Sequence, residues 1–203
     1  SEKLDLNIFR DNKEYSITFK DGNSLKSLKE TGKTKKTGTK ITFLPSKEIF
    51  SSTKFHSSIL QKRMRELAFL NKGISIILID NTLSKPKEYI NKYDGGILEF
   101  VEFINKKKPQ LVNRNEVAIF KKPIFVSAEK ERVVVECAFE WNAGYSEDVL
   151  AFTNNIHQKD GGTHLLGFRS ALTRVINKYA NDTNLIKKNK VTISGDDIKE
   201  GLV

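Results

Sequence analysis

The stretch NNIHQKDGGTHLLGFRSALTRVINKYA, residues 154–180, passes from turn chemistry into helical periodicity and sets the class of the domain around it. A polar turn breaks at Gly161-Gly162, and Thr163 stands where an N-cap belongs. At about 100° per residue, Leu165, Phe168, Leu172, Val175, Ile176 and Tyr179 share one face, and His164 falls on that same buried side. Arg169, Ser170, Thr173, Arg174, Asn177 and Lys178 share the other. Periodicity by itself reads this as an ordinary amphipathic helix with a charged outer side. Two arginines and a lysine on one solvated face are also able to reach phosphate oxygens.

Working outward, Val133, Val135, Cys137, Phe139 and Trp141 alternate with Val134, Glu136, Ala138 and Glu140, the pattern of a strand with one face on the core. Cys137 then points inward as a small packed residue. Further strands are predicted around Val117 and Ile119, over 124–127 and over 149–153, and Val191-Thr192-Ile193 begins a last one. Before them a short helix turns Ile97, Phe100, Val101 and Ile104 inward and runs into Lys106-Lys107-Lys108-Pro109. Lysines in a last turn suit the negative end of the helix dipole, with a DNA contact as the alternative.

Toward the start, Leu4, Leu6 and Ile8 alternate with polar residues, as do Tyr15, Ile17 and Phe19, and Asp11-Asn12-Lys13 makes a hairpin turn between them. Residues 26–40 have a loop composition of Lys, Thr and Gly, after which Ile41 and Phe43 start a strand stopped by Pro45. Residues 55–70 read as a helix with Phe55, Ile59, Leu60, Met64, Leu67 and Ala68 at three- and four-residue spacing, ended by Asn71-Lys72-Gly73. Residues 74–79 form an apolar run, expected as a strand covered on both faces. Residues 81–94 are polar and join two bodies, with a boundary near Tyr93. Strands, a helix, more strands and a long helix give an α+β layered architecture.

A chain of 203 residues holds one large domain or two small ones. No apolar run approaches a membrane span, and no leader is visible at Ser1. The net charge of +10 favours a polyanionic partner without saying which. Cys137 stands alone, which leaves no disulfide framework and fits a reducing, cytosolic compartment. The absence of an initiator Met and the ending on apolar Val203 lead to the expectation of a piece excised from a longer protein.

The residues themselves offer no reactive centre. His56, His157 and His164 have no metal-ligand spacing. Asp196 and Asp197 are adjacent and diverge, whereas paired-carboxylate chemistry needs convergence. There is no glycine-rich phosphate loop of the P-loop or Rossmann kind. Catalysis by this chain alone is therefore not expected.

Gly161-Gly162-Thr163-His164, Gly167-Phe168-Arg169 and Ala171-Leu172-Thr173-Arg174 resemble the transducer domain of the DNA gyrase B family. Residues 195–202 resemble the segment that follows it, and Arg65-Glu66-Leu67-Ala68-Phe69-Leu70-Asn71 resembles another signature of that family. Thr37-Gly38-Thr39 with Ile41-Thr42-Phe43-Leu44-Pro45 resembles a strand that floors its nucleotide pocket. Tyr93-Asp94-Gly95-Gly96 resembles its domain junction, with Asp94 where Glu is usual. The resemblance spans nearly the whole chain and is weakest over 85–93 and 105–122.

The resemblance implies that residues 1–93 are the C-terminal part of a GHKL ATPase α/β sandwich. Residues 94–203 would be a ribosomal protein S5 domain 2-like transducer domain with a left-handed crossover, truncated before its nucleotide-contacting loop. Thr39 would help bind adenine through a water, with Gly38 beside it. Arg10 would sit at the pocket mouth where coumarin inhibitors bind. Arg169 matches an arginine of the DNA cavity, and Arg174 shares its face.

The parent would be an ATP- and Mg2+-dependent type II topoisomerase of the bacterial cytoplasm, associated with the nucleoid, with most ligands for ATP and metal outside this chain. It would drive negative supercoiling in a heterotetramer of two A and two B subunits, the B subunits dimerising on ATP binding. This piece would couple the nucleotide to the DNA gate and line a cavity that binds DNA without reading sequence. Lys199 stands where the family has Arg, which weakens any bidentate anion contact there. A topoisomerase IV B subunit is the near alternative, although Asn154-Asn155-Ile156 and Phe168-Arg169-Ser170-Ala171 look more gyrase-like. A stand-alone basic nucleic-acid-binding module with an S5-like fold is another. A mismatch-repair type of GHKL ATPase shares the architecture but lacks these motifs.

Overall fold

Asp11 and Asn12 take left-handed backbone, φ 53° and 61°, and close a two-residue hairpin whose primed turn matches the twist of its strands. These strands, β1 (Lys3–Arg10) and β2 (Lys13–Lys20), pair antiparallel from Lys3↔Lys20 to Arg10↔Lys13. Lys13, expected in the turn, belongs to the strand. β3 (Asn23–Ser24) and β4 (Lys29–Lys33) both pair with β2, and β5 (Gly38–Leu44) lies on the other side of β1. The 26–40 segment, expected as a loop, thus supplies β4 and the start of β5. Backbone pairing and an ion pair such as Lys13 Nζ to Glu30 Oε2 at 2.8 Å need no apolar side chains, so composition did not reveal the strand.

Directly paired residues share a sheet face. Leu4, Leu6 and Ile8 therefore lie with Phe19, Ile17 and Tyr15 on one side and with Phe43 and Ile41 on the other. The opposite face is polar, with Thr18 Oγ1 donating to Asp5 at 2.8 Å. The apolar face is open at β5, where Ile41 is 60% and Phe43 52% exposed. This sheet belongs to the first of two compact units, Ser1–His56; the second is Ser57–Val203. The computed structural model describes residues 1–186 and 192–203.

The second unit opens with α1 (Ser57–Leu70), β6 (Ser75–Asp80), β7 (Lys87–Lys92) and α2 (Ile97–Asn105). The largest fully buried side chain among its described residues is Phe69, 1% exposed. The Phe69 ring stacks on Tyr93 at 3.6 Å and Phe100 at 4.6 Å between centroids, with Phe103 at 5.5 Å. The packed side of α1 centres on Ala68 and Phe69, while Phe55 and Ile59, expected inward, are exposed. β6 is covered on one face only, since Ile77 and Ile79 face water. Among the described residues its strand partner is β7, which lies in the segment expected to be a polar connector. Polar β7 is anchored through Asn91: buried, it accepts from Gln61 Nε2 at 3.2 Å and donates to the Ile76 carbonyl at 3.3 Å.

β8 (Ile124–Lys130) and β9 (Val133–Phe139) form a second hairpin, turned by left-handed Glu131 and Arg132. The alternation in β9 was expected to bury Val133 and Val135, yet both are exposed. The hairpin packs only at its base, where Phe139 meets Phe168 at 5.5 Å and Trp141 at 5.7 Å. Around Val117 and Ile119 there is an isolated bridge, Val112↔Ala118, in place of the expected strand. The strand expected over 149–153 is reduced to β10 (Phe152–Thr153), which pairs with β11 (Ile156–His157).

α3 spans Thr163–Asp182. Thr163 is its first helical residue and not its cap, because Gly161 and Gly162, at φ 77° and 149°, carry the chain in along a path closed to β-branched side chains. The packed face runs through Leu165, Leu172, Ile176 and Ala180, and Val175, Tyr179 and His164 are exposed, contrary to expectation. α4 (Gly195–Lys199) follows. Of the last predicted strand, Val191 lies outside the described residues, and Thr192 and Ile193 have no regular structure. Pairing comes instead from Val203, which exchanges backbone hydrogen bonds of 3.0 and 3.1 Å with Glu140. Gly201, at φ 71°, passes so close to the Asn142 carbonyl that a Cβ would strike it.

Phe69→Ala removes the ring that three others pack against, and is expected to destabilise the chain by about 3–5 kcal/mol. Urea unfolding checks this; a loss well below that range would mean the rings close over the gap.

Candidate functional site

The register of the first sheet brings together three residues assigned from separate segments. Thr39 lies opposite Ile8 and Gly38 opposite Phe9. Arg10 is two residues beyond Ile8, so Arg10 and Thr39 project from the same face as diagonal neighbours, about 7–8 Å apart at Cα. That face is the open apolar one. Among the described residues the ion-pair partner of Arg10 is Asp11, Nε to Oδ2 at 3.5 Å, and four-fifths of the Arg10 side chain is exposed. Gly38 has φ 133°, which excludes side chains without strain. A flat apolar floor edged by a hydroxyl and a guanidinium suits a planar ring bearing polar groups. The groove of about 310 Å³ in this unit, lined by Leu25, Lys26 and Thr31 among others, does not include these residues.

On α3 the two arginines differ. Arg169 forms a two-pronged fork with Glu147, Nε to Oε1 at 3.0 Å and Nη2 to Oε2 at 2.8 Å. It is half-buried and faces the body of the unit, not the solvated side where periodicity placed it. Arg174 is exposed and makes no ion pair with any described residue. Lys178 is exposed but paired with Asp182 at 3.0 Å. The lysine triplet also divides: Lys108 pairs with Asp148, and all three lie past the end of α2 at Asn105, so none serves its last turn.

α4 is built on Ser194 and Asp197. The Ser194 amide donates to Asp197 Oδ2 at 2.7 Å, and the Asp197 amide donates to Ser194 Oγ at 3.2 Å. Side-chain and then backbone hydrogen bonds from Ser194 hold the Asp197 carboxyl below its ordinary range. Asp196 pairs with Lys199 at 2.7 Å. Burial pushes the Cys137 thiol up, away from thiolate chemistry.

Two groupings were not anticipated from sequence. Arg63 of α1 and Asn71, the residue just past its end, both hold Asn155 of the β10–β11 turn. Lys106, Lys121 and Lys122 line a groove of about 430 Å³ with Phe120 and Trp141, whose rings lie 5.9 Å apart. Each is assembled from distant segments, and of their residues only Lys106, in the Lys106-Lys107-Lys108 run, carried a local charge signal in the sequence reading.

The family model for DNA gyrase B matches residues 96–203, more than half of the chain. The chain belongs to the DNA gyrase B family. Over its full length it is 42% identical to the DNA gyrase B subunit of Chlamydia muridarum, covering 25% of that protein. It is 43% identical to the DNA topoisomerase 4 B subunit of Enterococcus faecalis, covering 28%. The chain thus spans about a quarter of the length of the curated relatives it matches. All of it superposes on 53% of the 43K ATPase domain of Thermus thermophilus gyrase B, solved in complex with an aminocoumarin, with TM-score 0.80 and 32% identity. A topoisomerase IV ATP binding domain from Francisella tularensis shares the fold at TM-score 0.76 and 23% identity, with 52% of that chain covered. The expected α+β fold, a GHKL ATPase remnant followed by a ribosomal protein S5 domain 2-like element, is the fold found.

A folded-state carboxyl held below 3.8, as at Asp197, contributes stability that is complete above that value and lost as pH falls through the folded pKa. The difference in melting temperature between the chain and Asp197→Asn is therefore expected to be present at neutral pH and to close below about pH 3.8. A gap that persists in strong acid would show the carboxylate charge to be irrelevant to the cap.

Proposed function

We propose that this chain is the part of an ATP-dependent type II DNA topoisomerase B subunit that passes the state of the nucleotide to DNA. What supports the reading above all is that the whole chain, with no segment left over, is similar to the B subunits of gyrase and topoisomerase 4. Residues 1–93 serve as the end of the ATPase domain and 94–203 as the transducer, the junction falling at Tyr93-Asp94. Thr39 and Gly38 border the adenine side of the nucleotide, and Arg10 stands at the mouth of the pocket. ATP supplies the binding and hydrolysis energy. Magnesium and the general base come from other parts of the parent; among the described residues no group of three or more His, Cys, Asp or Glu side chains is placed to hold a metal.

On the DNA side, Arg174 is the available cation of α3, and it meets phosphate without reading sequence. Arg169 joins it when phosphate displaces Glu147 from the fork, an exchange of one oxyanion for another on the same guanidinium. The parent acts in the bacterial cytoplasm with an A subunit, as a heterotetramer of two of each, and its B subunits dimerise around the transported duplex when ATP binds. Negative supercoiling is the favoured outcome. Topoisomerase IV activity is the second reading, favoured by the 43% identity to the Enterococcus faecalis protein.

The deciding experiment supplies the full-length subunit and its A partner with relaxed circles, linked circles and ATP. Negative supercoils on the relaxed circles are expected; decatenation without supercoiling would select the second reading, and neither activity would defeat both. The 203-residue chain alone is expected to hydrolyse no ATP. In the full subunit, Arg174→Gln should lower the salt dependence of DNA binding by about one in log–log slope while leaving basal hydrolysis intact. An unchanged slope would remove Arg174 from the interface. Charge reversal at Arg169 is uninformative, since it would set two carboxylates face to face.

A further inference from the structure

Besides its packing on β6 and β7, α1 is linked to the rest of its unit by two arms of different chemistry. The first is the aromatic stack of Phe69 on α2 and Tyr93. The second is polar and converges on Asn155. Asn71 at the end of α1 donates Nδ2 to the Leu67 carbonyl at 2.7 Å, which fixes its amide on the last helical turn. Its Oδ1 then accepts from Asn155 Nδ2 at 2.9 Å. Arg63, two turns earlier, donates Nη2 to the Asn155 carbonyl at 2.9 Å and Nη1 to Glu66 at 3.2 Å. One helix therefore grips both the side chain and the backbone of a single turn residue.

Asn155 is suited to be gripped. With Asn154 it forms the turn between β10 and β11, both left-handed at φ 67° and 47°, a conformation that Asn tolerates and most side chains do not. From that turn a tied segment leads into α3. Gln158 N bonds to the Ala151 carbonyl at 2.8 Å, Gly161 N to Gln158 at 3.0 Å, and Leu166 N to Gly162 at 3.0 Å. A displacement of the turn is therefore delivered to the start of α3 with little slack. At the other end, Gln61 of α1 is bonded to Asn91 of β7 at 3.2 Å, so α1 does not slide freely either. Of the two arms, the aromatic one has no substitute for its contacts in water. The polar one does, because water replaces each of its hydrogen bonds when the grip opens.

We propose that Asn155 is a positioning residue: its hydrogen bonds to Arg63 and Asn71 set the placement of α3, and through it of Arg174, according to the position of α1. Phe69 is the pivot and Asn155 the releasable catch. This rests on the coupling role argued above, with α1 on the nucleotide side and α3 on the DNA side.

The test is made in the full-length subunit with its A partner. Asn155→Gly keeps the left-handed backbone and the carbonyl that Arg63 holds, and deletes only the amide. It is expected to lower the stimulation of ATP hydrolysis by DNA about fivefold, with basal hydrolysis changed by less than about twofold. Asn71→Asp keeps an acceptor for Asn155 while giving up the donor to Leu67, and should retain more of the stimulation than Asn71→Leu, which loses both; this pair decides the matter if Asn155→Gly does not fold. A purely structural role would lower basal and stimulated rates in proportion. That result, unchanged stimulation, or equal behaviour of Asn71→Asp and Asn71→Leu would overturn the proposal. If the unsubstituted subunit shows no stimulation by DNA, the coupling function itself fails, and the two failures are thereby separated.

Discussion

The burial of one phenyl ring is the constraint on which the second unit depends. Phe69 is 1% exposed and is contacted by rings from α2 and by Tyr93. Burying such a side chain contributes about 1.5–3 kcal/mol, and each well-placed aromatic pair adds about 0.5–1.5 kcal/mol. Among the aromatic contacts of the described residues, this ring alone joins α1, Tyr93 and α2. The guanidinium of Arg65 lies over the Phe103 ring, 5.0 Å from its centroid, and adds a cation–π contact to the stack. Because the stack fixes α1, it also fixes where Arg63 and Asn71 present their donors and acceptor. The polar grip on Asn155 thus depends on the same placement of α1 that the apolar contact holds.

The rotation of α3 about its own axis has electrostatic consequences. Packing follows Leu165, Leu172, Ile176 and Ala180, and that choice carries Arg169 inward to Glu147. The fork satisfies the guanidinium and locks the helix to the 145–148 segment, which Lys108 also engages through Asp148. Partial burial makes the pair worth more than a solvated one, and the net charge of +10 counts both of its members, so the pair adds nothing to that total. The global charge does not say where on this helix a polyanion is attracted. What counts is the subset of cations without a carboxylate in reach, and on α3 that subset contains Arg174.

Legibility from sequence followed the range of the interaction. The first hairpin, α1, α2 and α3 were all readable because their signals are local: alternation, three-and-four spacing, and Gly or Asn at the ends. The family was readable because its motifs fall in words such as Gly161-Gly162-Thr163-His164. Faces were read less well. Val175 and Tyr179 belong to the apolar arc of α3 by angle, but which part of that arc is covered depends on where Phe139 and Glu147 lie, and no local pattern encodes that. β7 was missed because Lys87, Glu88 and Lys92 look like connector residues, and its one buried side chain is an amide. The contact between Arg63 and Asn155, separated by 92 residues, was beyond any window of periodicity. The nearness of Arg10 to Thr39 needed the register of β1 on β5.

The segment from Ser194 to Val203 shows how direction and mass are held by different means. Its apolar bulk, Ile198, Leu202 and Val203, is buried and would tolerate several orientations on area alone. Orientation comes from polar contacts with narrow geometry: the reciprocal cap of Ser194 and Asp197, the Trp141 indole donating to the Ile198 carbonyl at 2.8 Å, and the backbone pairing of Val203 with Glu140. Gly201 admits the closest of these approaches by having no Cβ to obstruct the Asn142 carbonyl. The same division holds at α1, where Phe69 supplies the burial and Asn71 the direction. A fold organised in this way can keep its core intact while a polar contact changes partner, which is the physical requirement for passing a displacement from one element to another.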